Sequence, residues 1–416
     1  MMKKNIAIIS YHTCPLASEE GKETGGMNVY VLSVARALAK QGWHIDVFTR
    51  SQDTHQPKIV SIEKNFRVIH IKAGPETYIL PNSATNKKLL FDSLPEFVDN
   101  VKAFQTQENI VYDVFDCHYY LSGLAGLALK KEQLNIPLLM TFHTLALMKS
   151  LIAHSGLSDE ERGRIEAEFK LVEEAQVIIS PSKNDSKYLQ ALYNAPEEKI
   201  RIIAPGVDTS LFHPIHKTKA REKIGAPLDQ KLVMFVGRIE PVKGIDVLLY
   251  ATKILLKQNP DIKICLWIVG GDLHEDQTLW SAELKKLEKL RTLLSLTTTV
   301  TFVGQQSQHD LPSYYNAADL VVMPSHYESF GLTALEAMAC SVPVITSNVT
   351  GVSELIDDRC KQLITTANNP LLLADQMADV LARHHHKSLH EVHLAIADLD
   401  WKKVAEKISA VYKATK

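Results

Sequence analysis

No stretch of this 416-residue chain approaches the ~18 uninterrupted apolar residues that a membrane-spanning helix needs. Met1-Met2-Lys3-Lys4 resembles the charged start of a secretory leader, but Ser10, His12 and Pro15 interrupt the apolar run behind it. Cysteine is scarce. The five residues Cys14, Cys117, Cys265, Cys340 and Cys360 stand singly, with no pair at metal-ligand spacing. This excludes a disulfide scaffold and fits a reducing compartment. An excess of either charge is also missing: a net charge of -2 offers nothing to nucleic acid and no general attraction to an anionic membrane. A cytoplasmic protein is expected, in which the sequons at Asn184 and Asn348 carry no sugar. The first strand is not followed by a GxGxxG helix opening, which argues against a dehydrogenase.

What is present is a globular composition, 45% hydrophobic and 23% charged, in a chain long enough for two domains. Short apolar runs alternate with helical periodicity. Strands are predicted at Asn5–Ser10, Trp43–Thr49, Arg67–Lys72, Val114–Cys117, Leu138–Phe142, Val177–Ser180 and Ile200–Ile203. After a pause around Ala204-Pro205-Gly206-Val207-Asp208, a second set follows at Leu232–Val236, Ile264–Val269, Val300–Val303, Leu320–Met323 and Val342–Thr346, each expected to lead into a helix. The pattern predicts an α/β protein of two Rossmann-like, doubly wound parallel-sheet domains, residues 1–206 and 207–390, facing a cleft. A final helix falls within residues 391–416.

Three motifs follow strands. Glu328-Ser329-Phe330-Gly331-Leu332 leads from the strand Leu320–Met323 into a helix that carries Glu336. Gly331 stands at the turn, and the opening N–H groups of a helix form a site for a diphosphate. Glu328 would point into the cleft and Glu336 would face ribose hydroxyls. Gly237-Arg238-Ile239-Glu240-Pro241-Val242-Lys243-Gly244 follows Leu232–Val236. Arg238 and Lys243 suit pyrophosphate oxygens and would favour the charge that grows on a departing diphosphate. Gly25-Gly26-Met27 opens the first helix and lets backbone approach a ligand. The tract His384-His385-His386 with His390 and His393 has the spacing of metal ligands on a helix face, although a solvated helix end explains it better. Asp398-Leu399-Asp400 is read as a helix cap and no metal is assigned.

The combination of Glu-x7-Glu, Arg-x4-Lys, the Gly-Gly loop and Ala318-Asp319-Leu320 resembles the retaining GT-B glycosyltransferases of family GT4. Within it, Ala73-Gly74-Pro75, Leu94-Pro95-Glu96-Phe97-Val98, His118-Tyr119-Tyr120-Leu121-Ser122-Gly123 and His143-Thr144-Leu145-Ala146 are similar to two subgroups. One transfers N-acetylglucosamine to an inositol phosphate in the mycothiol pathway; the other makes sucrose phosphate. The resemblance implies transfer, without metal or other cofactor, from a nucleotide diphosphate sugar (UDP favoured) to a small-molecule, glycan or lipid-linked hydroxyl acceptor. It implies Arg238 and Lys243 on the diphosphate, Glu336 on ribose, and Glu328 with Ser329, Phe330, Gly331 and Leu332 on sugar and phosphate. It implies His143 beside the donor sugar, Gly25 and Gly26 near its phosphate, and His118, Tyr119, Thr144 and Arg164 at the acceptor, with Lys72, Lys87 or Lys88 completing a phosphate site. It further implies that the last helix packs back on the first domain. Ser341 departs from the family's glycine, as does Thr350.

Other readings stay open. An epimerase on this fold needs an acid–base pair, for which only His118 and His143 offer themselves. A nucleotide-sugar sensor would not require the whole residue set. A peripheral membrane enzyme could use Asn86-Lys87-Lys88-Leu89-Leu90-Phe91 at an interface.

Overall fold

The computed structural model describes residues 4–17, 25–79, 84–153, 159–274, 276–349, 351–355, 364–366, 368–382 and 396–415. The chain divides into two compact units, Met1–Pro205 with Trp401–Lys416, and Gly206–Asp400.

The first unit is built on β1 (Asn5–Ile9), β2 (His44–Arg50), β3 (Ile59–Glu63), β4 (Phe66–Ile71), β5 (Val114–His118), β6 (Leu138–Thr141), β7 (Val177–Ser180) and β8 (Ile200–Ile202). Their order is β3-β4-β2-β1-β5-β6-β7-β8. All neighbours run parallel except β3, which pairs antiparallel with β4 at the edge. Strands buried on both faces read as unbroken apolar runs. β3 is half-exposed and has no such run, so the sequence pattern passes over it. Successive strands step away from β1 on both sides, making β1 and β5 the switch point beyond whose carboxyl ends a ligand binds in such sheets.

The helix Trp401–Ala414 belongs to this unit. It buries Trp401, Val404, Ala405, Ile408 and Tyr412, a stripe at helical spacing. Trp43 Nε1 donates to Ser409 Oγ at 3.0 Å, and the Trp43 and Tyr412 rings meet edge-on with centroids 5.5 Å apart.

The second unit holds β9 (Lys231–Val236), β10 (Ile264–Val269), β11 (Val300–Gly304), β12 (Leu320–Met323), β13 (Val344–Ser347) and β14 (Ile364–Thr365), all parallel in the order β11-β10-β9-β12-β13-β14. β14 has two residues and leaves no pattern to read. After β13 comes a 3₁₀ turn, Gly351–Leu355, where a helix was expected. The switch point lies between β9 and β12. At their amino ends Asp319 accepts from Leu232 N (2.7 Å), Arg221 Nη2 (2.5 Å) and Lys217 Nζ (2.9 Å). Asp319 therefore ties strands together at the end opposite the ligand side.

Cys14, Cys117, Cys265 and Cys340 are buried thiols outside any disulfide. Among the described residues no helix is long and apolar enough to cross a membrane, and no group of three or more His, Cys, Asp or Glu is placed to hold a metal ion. The histidine tract at 384–393, Cys360 and Thr350 lie outside the described residues.

Candidate active site

In the second unit the loops after β9 and β12 interlock. His326 N donates to Val242 O at 2.8 Å, and a Cβ on Gly244 (φ 66°) would lie 2.2 Å from the Pro324 carbonyl oxygen. Only glycine permits that approach. The interlock brings Lys243 Nζ onto Glu328 Oε2 as an ion pair, both side chains less than a quarter exposed. Arg238 Nη1 meets Glu240 Oε1 at 2.6 Å. The two cations expected to hold a diphosphate thus each have a carboxylate beside them.

Gly331, at φ 105°, caps the helix Leu332–Ala339, whose first N–H groups have no acceptor within it. Ser329 and Phe330 are buried behind that turn. The Tyr327 hydroxyl and Ser329 Oγ are 3.1 Å apart, and Phe330 O accepts from Val352 N at 2.7 Å. Glu336, expected to face ribose hydroxyls, is 7% exposed and accepts from the Tyr315 hydroxyl at 2.8 Å. Burial pushes its carboxyl up to about 7, against the opposing effect of that hydrogen bond.

The helix ends with Val342 N on Ala337 O and Ser341 N on Met338 O, the paired closure that favours a left-handed glycine. Ser341 takes that place at φ 58°. Ser341→Gly is expected to raise the unit's stability by about 0.5–1 kcal/mol, the left-handed cost less glycine's extra chain entropy. A chemical-denaturation midpoint at or below wild type would contradict this.

In the first unit the candidates follow β1, β5 and β6. Gly25 and Gly26 open the helix Gly26–Lys40. Asn28 fixes it to the loop after β1 through Cys14 O (2.7 Å) and Thr13 Oγ1 (2.8 Å). Tyr119 and His143 both adopt left-handed backbone, at φ 75° and 59°. Such strain in non-glycine residues gathers at functional sites. Both are partly exposed, as is Thr144.

Arg164 is buried. Its Nε donates to Glu168 Oε1 (2.8 Å) and its Nη2 to Thr144 O (2.8 Å) and Thr144 Oγ1 (3.1 Å). Its guanidinium lies 4.9 Å from the Tyr119 ring centroid. Burial works against the charge, but Tyr119 and Glu168 outweigh it and raise the basicity of Arg164. Glu168 is held by Ala146 N (2.9 Å) and the Tyr193 hydroxyl (2.5 Å).

His118 departs from the expectation that it meets an acceptor. It is 1% exposed, with Nδ1 2.9 Å from His143 Nε2 and Nε2 3.7 Å from Asp116 Oδ1. The burial pattern of β5 puts it inside, behind His143. Burial pushes His118 down to about 3; burial and then His118 hold His143 well below the usual imidazole range. Both shifts favour the neutral imidazole. Asp116, absent from the sequence-derived candidates, sits two residues before His118 on the same strand face, a spacing that could have flagged it. In the helix Ala84–Asp92, Leu90 is buried while Phe91 is exposed.

Comparison with known proteins shows the family. Residues 24–211 match Glycosyltransferase Family 4, and residues 216–393 match Glycosyl transferases group 1. A D-inositol 3-phosphate glycosyltransferase of Corynebacterium diphtheriae is 33% identical over 99% of this chain and 95% of its own. One of Saccharomonospora viridis is 35% identical over 91% of this chain and 86% of its own. The solved sucrose-phosphate synthase of Thermosynechococcus elongatus superposes with a TM-score of 0.85 at 31% identity, over 99% of both chains. The chain belongs to the GT4-type glycosyltransferases of the GT-B fold and is an enzyme that transfers sugars.

Proposed function

We propose that the enzyme transfers a hexose or N-acetylhexosamine from a UDP-sugar to a hydroxyl of a phosphorylated sugar or polyol, with retention at the anomeric carbon. The reading rests above all on the interlocked loops that hold Arg238, Lys243 and Glu328 at the ligand end of β9 and β12. A diphosphate arriving there replaces the carboxylates as partner of the two cations. Glu336 accepts from ribose hydroxyls, and His143 contacts the sugar. The bond between the anomeric carbon and the phosphate oxygen breaks, and the acceptor oxygen bonds to that carbon on the same face. The acceptor proton passes to the departing phosphate oxygen, so no side-chain nucleophile is used. Arg238 and Lys243 stabilise the charge that develops on the diphosphate.

The relatives' names support a phosphorylated acceptor, since one names D-inositol 3-phosphate and the other a sucrose phosphate. In this chain the guanidinium of Arg164, oriented by Glu168 and flanked by Tyr119 and Thr144, suits a phosphate.

The test is a panel of UDP-, GDP- and ADP-sugars against phosphorylated and plain polyols, reading nucleotide release and the anomer of the product. Release that depends on a UDP-sugar and rises with phosphorylated acceptors is expected. Arg164→Lys keeps a cation beside Glu168 but loses the fork; it should raise KM for the phosphorylated acceptor by about 10-fold with little change for the donor. Stimulation only by unphosphorylated or lipid-linked acceptors would refute the phosphate site, and an inverted product would refute the mechanism.

A further inference from the structure

Behind His143 lies a buried polar chain that begins on the C-terminal helix. The Tyr412 hydroxyl donates to Asp116 Oδ2 at 2.5 Å. Asp116 Oδ1 is 3.7 Å from His118 Nε2, and His118 Nδ1 is 2.9 Å from His143 Nε2. Aromatic rings hold the imidazoles in place. Tyr30 has its centroid 5.6 Å from that of His118 and 5.2 Å from that of His143, and Trp401 backs Tyr30 at 5.6 Å. Asp116 Oδ1 and His118 Nε2 are both buried with no hydrogen-bond partner among the described residues. Two facing orphans in a buried site call for an explanation.

A neutral imidazole carries one donor and one acceptor nitrogen. A lone pair aimed at a buried carboxylate is repelled, whereas an N–H aimed at it is attracted. At 3.7 Å the contact is longer than a hydrogen bond, but the low dielectric lets the carboxylate act over that distance. His118 therefore keeps its proton on Nε2. Its Nδ1 must then accept, and the only proton available for that 2.9 Å contact is one on His143 Nε2.

We infer that Asp116, fixed by Tyr412, is a positioning residue that sets the tautomer of His118 and through it that of His143, making His143 Nδ1 the acceptor nitrogen of that ring. The inference rests on the reading of His143 as the donor-sugar contact, where an acceptor nitrogen takes a hydroxyl proton. It also gives the C-terminal helix a part in the chemistry, since that helix supplies the hydroxyl that orients Asp116. The strong downward shift of both imidazoles agrees with a pair that stays neutral and so has a defined tautomer.

Asp116→Asn keeps shape and reverses the polarity. The Tyr412 hydroxyl still needs an oxygen, so the amide NH2 turns to His118 and donates to Nε2. Both rings should then carry their protons on Nδ1. The measurement is a long-range proton–nitrogen correlation spectrum of the ligand-free, full-length protein labelled at histidine, with signals assigned by His118→Gln and His143→Asn. Wild type is expected to show Nε2 protonation of both rings, and Asp116→Asn Nδ1 protonation. Wild-type rings protonated on Nδ1, or tautomers unmoved in Asp116→Asn, would overturn the inference. If that variant fails to fold, the wild-type spectrum alone still decides.

The turnover arm expects kcat to fall on the order of 10- to 100-fold in Asp116→Asn, with donor KM changing far less. Tyr412→Phe should lower kcat in the same direction by less; wild-type turnover and tautomers in that variant would remove the helix from the scheme. The spectrum needs no substrate, so absence of transfer by wild type would fault the proposed reaction while leaving the tautomer result standing.

Discussion

Glu336→Gln is expected to stabilise the Gly206–Asp400 unit by about 3 kcal/mol above pH 7 and to weaken nucleotide binding by about 10-fold or more. The native carboxyl is pushed up to about 7 from its ordinary 4.5. Between those values the folded protein holds a proton that the unfolded chain has released. Stability therefore falls as pH rises through that window, and the whole cost is present above it. Glutamine has no proton to lose, and its carbonyl can still accept from Tyr315. The difference between variant and wild type should thus grow from pH 4 to pH 7 and then level off.

For a unit of this size about 3 kcal/mol corresponds to roughly 6–12 °C in its melting temperature. The lost affinity has the same origin: an amide accepts ribose hydroxyls less strongly than a carboxylate does. Thermal melts at pH 4.5 and pH 8, with calorimetric titration of a nucleoside diphosphate, measure both effects. A stability difference that does not change with pH would show that Glu336 is not a strained buried acid. On the proposed role of Glu336, its buried charge exchanges stability for function.

Lys243→Ala should lower kcat by about 100- to 1000-fold, the usual cost of removing one group aimed at developing charge. Nucleotide binding should weaken as well, for a second reason: Lys243 is the partner of Glu328, and without it that carboxylate faces the diphosphate uncompensated. The double variant Lys243→Ala, Glu328→Gln is therefore expected to bind nucleotide more tightly than Lys243→Ala alone, although it remains inactive. Residues joined in one ion pair are not additive. Strictly additive losses of affinity would mean that the pair in the ligand-free enzyme has no bearing on donor binding. Titration of nucleoside diphosphate into the four proteins of this cycle gives the coupling directly.

The alternation of strands and helices, nearly every strand to within a residue or two, and the placement of Arg238, Lys243, Glu328 and Gly331 after β9 and β12 were all legible in the sequence. The reason is local. A parallel strand buried on both faces has to be a short apolar run, and a ligand loop in such a sheet has to follow one. β3 and β14 escaped the same logic because one lies half-exposed at an edge and the other is two residues long.

Partners of the polar groups were decided by the tertiary structure alone. Asp116 and Tyr412 stand 296 residues apart, and no period connects them. Nothing in the spacing of the helix Leu332–Ala339 shows that Tyr315 will close over Glu336, or that β5 will turn His118 inward behind His143. Arg164 and Glu168 are one helical turn apart, but only the packing of Thr144, Tyr119 and Tyr193 around them makes that pair a buried anchor. Periodicity reports which face of an element is buried. The charge, basicity and tautomer of a buried side chain depend on what other elements bring to that face, and that is settled only when the chain has folded.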